Sequence, residues 1–167
     1  KETYVYVSLN IDGKGEADVD TGVGFMDHML ELLAFHGNFD LKVRCKGDLQ
    51  VDSHHTVEDL GIVLGQCFNK ALGDKRGITR YGHFTIPMDE ALVTTDLDFN
   101  VELDNIHLGN YEVEMTEEFF RAFAYNCFMT LHINEHYGKN THHIIEAIFK
   151  SMARAIKEAV TIDEAHI

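Results

Sequence analysis

The sequence predicts an α+β chain built from two similar halves, and three observations carry that prediction. Segments whose side chains alternate are interleaved with segments of helical spacing. The order short helix, strand, Gly-containing turn, helix occurs twice. In each copy the last helix opens with H-H-x-x-E, at His54-His55 with Glu58 and again at His142-His143 with Glu146. The alternation also suits a doubly wound sheet, but no G-x-G-x-x-G occurs and the centre of the chain is rich in strand-like sequence.

Taken in order, TYVYVSLNIDGKG alternates and ends in Asp-Gly, the pattern of a strand entering a turn. GFMDHMLELLAFHG has helical spacing and stops at Gly37, a good helix end. NFDLKVRCKGD alternates again as a strand. Residues Ser53 to Leu72 form a helix with Ser53 as its candidate cap and LGDKRG as its terminator. From Arg80 to Val113 the chain is strand-like, with its single proline, Pro87, near the end of the first segment. MTEEFFRAFAYN is helical, FMTLHINEHYG a strand, and THHIIEAIFKSMARAIKEAV a long amphipathic helix whose stripe Ile145, Ile148, Phe149, Met152 and Ile156 belongs to the core. No linker or low-complexity stretch divides the chain, so residues 1–167 are expected to form one domain with halves of about 1–88 and 89–167.

At 167 residues and 45% apolar composition the chain is long enough to bury a core. Fourteen Lys and Arg stand against 28 Asp and Glu, a net charge of -14 that repels phosphate backbones and anionic lipid, so nucleic-acid and membrane partners are excluded. Cys45, Cys67 and Cys127 form no C-x-x-C pair, no apolar run approaches the roughly 18 residues of a membrane span, and the opening KETYVYV lacks the features of a signal peptide. These traits suit reduced core thiols in a cytoplasmic protein.

On a helix, His54 and Glu58 share a face, whereas His55 lies about 100° around from His54. Adjacent histidines therefore look toward two places, and two ligating histidines serve two metals or one metal in each of two subunits. Imidazole nitrogen with carboxylate oxygen suits Mn, Fe, Ni or Zn, and the absence of cysteine speaks against a closed thiolate zinc site. His28 precedes His54 by 26 residues and Glu118 precedes His142 by 24. The repeat thus offers eight ligands, His28, His54, His55, Glu58, Glu118, His142, His143 and Glu146, four for each of two metals. A single His-His pair is usually a surface accident; two copies at equivalent places in a repeat are not. His83, His107, His136 and His166 lack such a context and are expected on the surface or in hydrogen-bonded loops, and His132 as a structural histidine on a strand.

The stretches TGVGFMDHMLELLAFHGNFDL, GDLQVDSHHTVEDLGIVLGQ, ALGDKRGITRYG, PMDEAL, EEFFRAFAYN and NTHHIIEAIFKSMARAI, in that order over nearly the whole chain, resemble the imidazoleglycerol-phosphate dehydratase family. The resemblance implies two α/β halves of the ribosomal protein S5 domain 2-like type, with helices packed between mixed β-sheets. It implies a homo-oligomer of 24 subunits with octahedral symmetry, whose active sites and two Mn²⁺ are shared between neighbours. The implied reaction is dehydration of D-erythro-imidazole-glycerol phosphate to imidazole-acetol phosphate in histidine biosynthesis. By resemblance, His28, His55, His142 and Glu146 hold one manganese, and His54, Glu58 and His143 the other, with Glu118 where many members have histidine. Glu2 matches the acid/base glutamate that moves the proton. His36 and Arg80 match substrate-contacting positions, Lys150 matches a lysine at the phosphate site, and His28, His54, Glu58 and His142 touch substrate as well. Two departures stand out: no arginine lies between Arg80 and Arg121, where the family carries Ser-Gly-Arg and this chain has Glu102 nearby, and the chain stops at TIDEAHI before the family's Ser/Thr-Lys-Gly tail. A divergent dimetal relative acting on another imidazole compound, and a non-catalytic metal-binding assembly protein, are the alternatives these departures leave open.

Overall fold

Two small sheets enclose four helices among the described residues, which in this computed structural model are 4–46, 53–99, 105–107 and 114–166. The chain runs β1 (Tyr4–Asn10), β2 (Ala17–Asp20), α1 (Gly24–Gly37), β3 (Asp40–Lys46), α2 (Ser53–Leu72), β4 (Tyr81–Met88), β5 (Ala91–Phe99), β6 (Asn105–His107), α3 (Glu114–Asn126), β7 (Met129–Tyr137) and α4 (Thr141–Val160), closing with a 3₁₀ turn at Glu164–His166. This is the α+β architecture expected, and every predicted helix falls in place.

Sheet topology displays the repeat. In the first sheet, ordered β1-β3-β2, β3 pairs antiparallel with β1 and parallel with β2. In the second, β7 pairs antiparallel with β5 and parallel with β6, and β4 is added outside β5. The unit β1-β2-α1-β3-α2 thus recurs as β5-β6-α3-β7-α4. Strand β2 was not anticipated: its four residues, ADVD, turn only Val19 inward, too few for an alternation signal.

α1 and α2 pack on strands of the first sheet and α3 and α4 on those of the second, while α1 meets α4 and α2 meets α3 across the middle. A chain of phenylalanines joins the layers: Phe39 contacts Phe68 edge-on at 5.1 Å, Phe68 contacts Phe123 at 5.5 Å, and Phe119 links Phe123 to Phe149 at 6.1 and 5.6 Å. All five rings are fully buried, and such aromatic pairs contribute about 0.5–1.5 kcal/mol each beyond area burial. The α4 stripe Ile145, Ile148, Phe149, Met152 and Ile156 is buried as expected.

Helix ends differ in detail from the sequence expectation. Gly37 is the last residue of α1, and the left-handed cap is Asn38 at φ 58°, which returns its N–H to the helix. Gly37 is small for another reason, since a Cβ there would meet the Phe39 ring at 2.2 Å. Ser53 opens α2 as described, and its side chain, with the cap assigned to it, lies outside the described residues. Of the three cysteines, all unpaired, Cys127 is buried while Cys45 and Cys67 are half-buried; burial pushes each thiol up, Cys45 to about 11, so none is an activated thiolate. No helix among the described residues is long and apolar enough to cross a membrane.

Close approach of α2 to α3 depends on two glycines one turn apart. A Cβ on Gly61 would lie 2.7 Å from the Phe119 carbonyl oxygen, and one on Gly65 2.5 Å from that of Phe123. Because 61 meets 119 and 65 meets 123, the two helices run parallel. Replacing Gly65 by Val is expected to force them apart, costing about 1–3 kcal/mol as overpacking does and lowering the midpoint of a thermal melt. An unchanged midpoint would mean that the helices are not in such contact.

Candidate active site

The site is built on the seam between α1 and α4, and its position is fixed at the start of both helices. Asp27, in the first turn of α1, accepts from the backbone N–H and hydroxyl of Thr21, which anchors the TGVGFMDHM segment ahead of His28. Asn140 caps α4, its side-chain oxygen accepting from the His143 N–H. Glu90, in the turn between β4 and β5, accepts from the backbone N–H groups of Lys139 and Asn140. The α4 start is thereby tied to the β4–β5 hairpin.

His28 from α1 meets His142 and Glu146 from α4. Glu146 Oε2 lies 2.9 Å from His28 Nε2 and 3.1 Å from His142 Nε2, and the two imidazoles stack at 6.2 Å. One ligand atom from each of the three residues lies within 4.8 Å of the others, a group found nowhere else among the described residues. Their donor set suits a first-row divalent ion: with Nε2 unprotonated, two nitrogens and one carboxylate oxygen turn lone pairs toward a common point. Glu146 is buried at 9% side-chain exposure, whereas His28 and His142 are about half exposed at 47% and 51%, so the site opens toward solvent from a fixed anionic floor. Burial pushes the Glu146 carboxyl up, but hydrogen bonds from His28 and His142, with Lys150 nearby, outweigh it and hold the group below its usual value.

His143 turns elsewhere, as adjacent helical histidines must. Its ring stands at 81° to that of His142, with Nδ1 2.8 Å from Glu90 Oε1 and Nε2 3.3 Å from Asp89 Oδ2. The amide of Asn140, the His143 ring and the amide of Lys139 hold Glu90 at about 2, and the Glu90 bond raises His143 above its ordinary value. Neither Asp89 nor Glu90 was singled out from the sequence, although both lie in PMDEAL. They become visible only when the β4–β5 turn, with Asp89 at φ 52°, is seen against α4.

The α2–α3 seam repeats the arrangement in altered form. Glu58 and Glu118 line one open cleft of about 640 Å³ together with Arg121, Tyr125 and Asn126. His54 and His55 belong to the first turn of α2, but their side chains are outside the described residues, as are Glu2 and Glu102.

Farther along α4, Lys150 and Arg154 follow Glu146 at one-turn intervals. Lys150 Nζ is 3.7 Å from Glu146 Oε1, and Arg154 Nε donates to His36 Nδ1 at 3.1 Å. Since His28 faces Glu146 and His36 faces Arg154, α1 and α4 run parallel. Arg80 is not brought to this seam: its side chain donates to the Phe99 carbonyl and its backbone N–H to Ala159 near the end of α4. His83 and His136 are exposed, as expected, but on strands, bonded to Asp96 and Thr94 respectively, and His132 is on β7 as expected.

Comparison with known proteins places this site in a class: the similar chains are dehydratases, and this α+β chain is a hydro-lyase. The family model for imidazoleglycerol-phosphate dehydratase matches residues 21–156. The chain belongs to the imidazoleglycerol-phosphate dehydratase family. It is 61% identical to that enzyme from Lactococcus lactis subsp. cremoris (strain SK11), over 100% of this chain and 89% of the relative. It is 57% identical to that from Caldanaerobacter subterraneus subsp. tengcongensis, over 98% and 88%. Among solved structures, the Staphylococcus aureus imidazoleglycerol-phosphate dehydratase superposes with TM-score 0.86 at 36% identity, covering 97% of this chain and 99% of that one. The Pyrococcus furiosus structure, a complex with (S)-C348, gives 0.82 at 31% identity, covering 98% and 92%.

The His143–Glu90 pair makes a signed prediction. The protonated ring is favoured beside the carboxylate, so its contribution to stability is present below its ordinary value of 6.5 and is lost as pH rises through the raised one. That of Glu90 is present above its ordinary 4.5 and is lost as pH falls toward about 2. Glu90→Gln is expected to bring the His143 titration, followed by NMR in ion-free protein, back down toward 6.5. A midpoint that stays put would show that Glu90 does not govern the ring.

Proposed function

We propose that the chain dehydrates D-erythro-imidazole-glycerol phosphate to imidazole-acetol phosphate in histidine biosynthesis. It does so in the cytoplasm with two Mn²⁺ per active site, as an octahedral assembly of 24 copies. The observation that carries this reading is the convergence of His28, His142 and Glu146 on one point in a chain of this family. His28, His142 and Glu146, with His55, would hold one ion; His54, Glu58, Glu118 and His143 would hold the other. When bound, the ions would act as Lewis acids on the substrate's imidazole, which would make the hydroxyl on the adjoining carbon easier to expel and the proton on the next carbon removable, the resulting enol becoming the ketone.

The chain's own groups supply the rest. Glu2 takes the proton from carbon, and an acid returns one to the departing hydroxide, so that one water leaves in all. The buried Glu146 carboxylate sets the distance between the two imidazoles before any ligand arrives, which removes reorganisation from the binding step. Glu90, bonded to the His143 ring, fixes which nitrogen of that ring faces outward, the usual part of a carboxylate behind a ligating histidine. Lys150 and His36, one to two turns along the seam, suit the phosphate end, and Arg80 is assigned to substrate contact by its match to the family alone. The histidine pairs support a site shared between copies, because adjacent imidazoles on one helix cannot serve one ion together. A net charge of -14 supports a small-molecule substrate rather than a nucleic acid or a lipid surface.

The direct test is formation of imidazole-acetol phosphate by protein supplied with Mn²⁺, set against a chelated control. Turnover that needs the metal is expected; none from a fully metallated, assembled protein would overturn the assignment in favour of another imidazole substrate. Glu2→Gln is expected to keep its metal and lose turnover by about 10²–10⁴-fold, the span of general acid–base contributions; metal lost in parallel would refute the role given to Glu2. His142→Ala is expected to lose Mn²⁺ and loosen the assembly together, read by metal analysis and light scattering. A large, fully metallated mutant would dismiss the shared site.

A further inference from the structure

Beyond the histidine–carboxylate cluster, the α1–α4 seam ends in a pair to which sequence reasoning gave only one member a role. Arg154 Nε donates to His36 Nδ1 at 3.1 Å, and its guanidinium lies over the Phe84 ring at 5.5 Å. A guanidinium has only N–H donors and stays charged throughout the accessible pH range. Nδ1 of His36 must therefore be the acceptor. The ring's remaining proton is on Nε2, which becomes its single donor.

We propose that Arg154 is a positioning residue: by occupying Nδ1 it locks His36 as the neutral Nε2–H tautomer and makes that N–H a fixed donor to the anionic end of the substrate. The assignment of the donor's target rests on the dehydratase reading; the tautomer does not. Burial, then the charge of Arg154, then that of Lys150 hold the His36 pKa below its ordinary value, so the ring stays uncharged while these cations provide the charge. The Phe84 ring, with its centroid 5.5 Å from the guanidinium carbon, adds a cation–π contact that helps hold the side chain in its bond to His36. A lysine at this position would offer charge and a donor but no planar face.

The test uses the full chain with ¹⁵N-labelled histidine rings, together with steady-state kinetics on the metal-loaded protein. In the wild type, the His36 resonances are expected to report unprotonated Nδ1 and protonated Nε2. Arg154→Met keeps a stem over Phe84 and removes the donor; it is expected to give a mixture of tautomers and a midpoint nearer about 6.5. Arg154→Lys is expected to restore the tautomer in part. Kinetically, Arg154→Met should lower kcat/KM about 10–100-fold, the usual effect of removing a group that orients a functional histidine, mainly through KM. In a His36→Ala background the same change should cost measurably less than in the wild type, because only the charge of Arg154 is then lost. A protonated Nδ1 in the wild type, an unchanged tautomer in Arg154→Met, or additive losses in the double mutant would each overturn the proposal. If the wild type shows no dehydratase turnover, the functional reading fails by itself, and the tautomer measurement still decides whether Arg154 locks the ring.

Discussion

Parallel packing of α1 against α4, and of α2 against α3, is the constraint on which the rest of the molecule depends. Parallel neighbours place the positive ends of two helix dipoles side by side, an arrangement that repels unless anions are supplied there. The chain supplies them: Asp27 sits in the first turn of α1, and Glu90 takes the Lys139 and Asn140 N–H groups just ahead of α4. The same geometry brings residues of equal depth on the two helices opposite one another. His28 therefore faces Glu146 and His36 faces Arg154 without any loop having to hold them.

The recurring order of strands and helices gives the chain two equivalent seams, and they differ in what they carry. Along the α1–α4 seam the donors are packed together around a buried carboxylate, with the Phe25 edge 5.5 Å from His142. Along α2–α3 the repeat-related position to His28 is Glu118, exposed in an open cleft beside Arg121. Glycines at 61 and 65 draw those two helices together backbone to backbone, whereas α4 meets its surroundings through the larger Phe149 and Met152. One seam thus brings two imidazoles and a carboxylate to a common point. The other is an open cleft that holds Glu58 and Glu118.

Helices were legible because each carries many apolar residues at one period, and the stripe from Ile145 to Ile156 announces its buried face without help from tertiary context. The repeat and helical spacing made His28, His142 and Glu146 legible as candidate ligands, but that the three meet came from the family resemblance, since the repeat alone sets His28 with the first histidine pair. β2 was not, because four residues with one inward valine have no period to read. Asp89, Glu90 and Arg154 escaped for a different reason. Each acts on a histidine distant in sequence, His143 lying 53 residues beyond Glu90 and His36 118 residues before Arg154, and no local pattern encodes such a contact. Their residue types are ordinary for a turn and for the solvated flank of a helix, so only the packing of α4 on α1 and on the β4–β5 hairpin reveals them.

Charge sets the last requirement on the seam. A chain with a net charge of -14 draws cations toward it and resists any anionic ligand. Distant carboxylates are screened over a Debye length of about 8 Å at physiological ionic strength, whereas a cation in contact acts nearly unscreened. At about 4 Å and an effective dielectric of about 20, a single opposite charge is worth about 4 kcal/mol before desolvation. Two cations at successive turns of α4 thus act locally against a global excess of 14 negative charges. They can do so only if nearby groups do not neutralise them. Lys150 already leans on Glu146 at 3.7 Å, which leaves Arg154 as the cation whose nearest polar partner, His36, is itself neutral. An uncharged imidazole there passes the N–H forward without cancelling the guanidinium, and that is the physical reason for pairing an arginine with a histidine rather than with a carboxylate at this end of the seam.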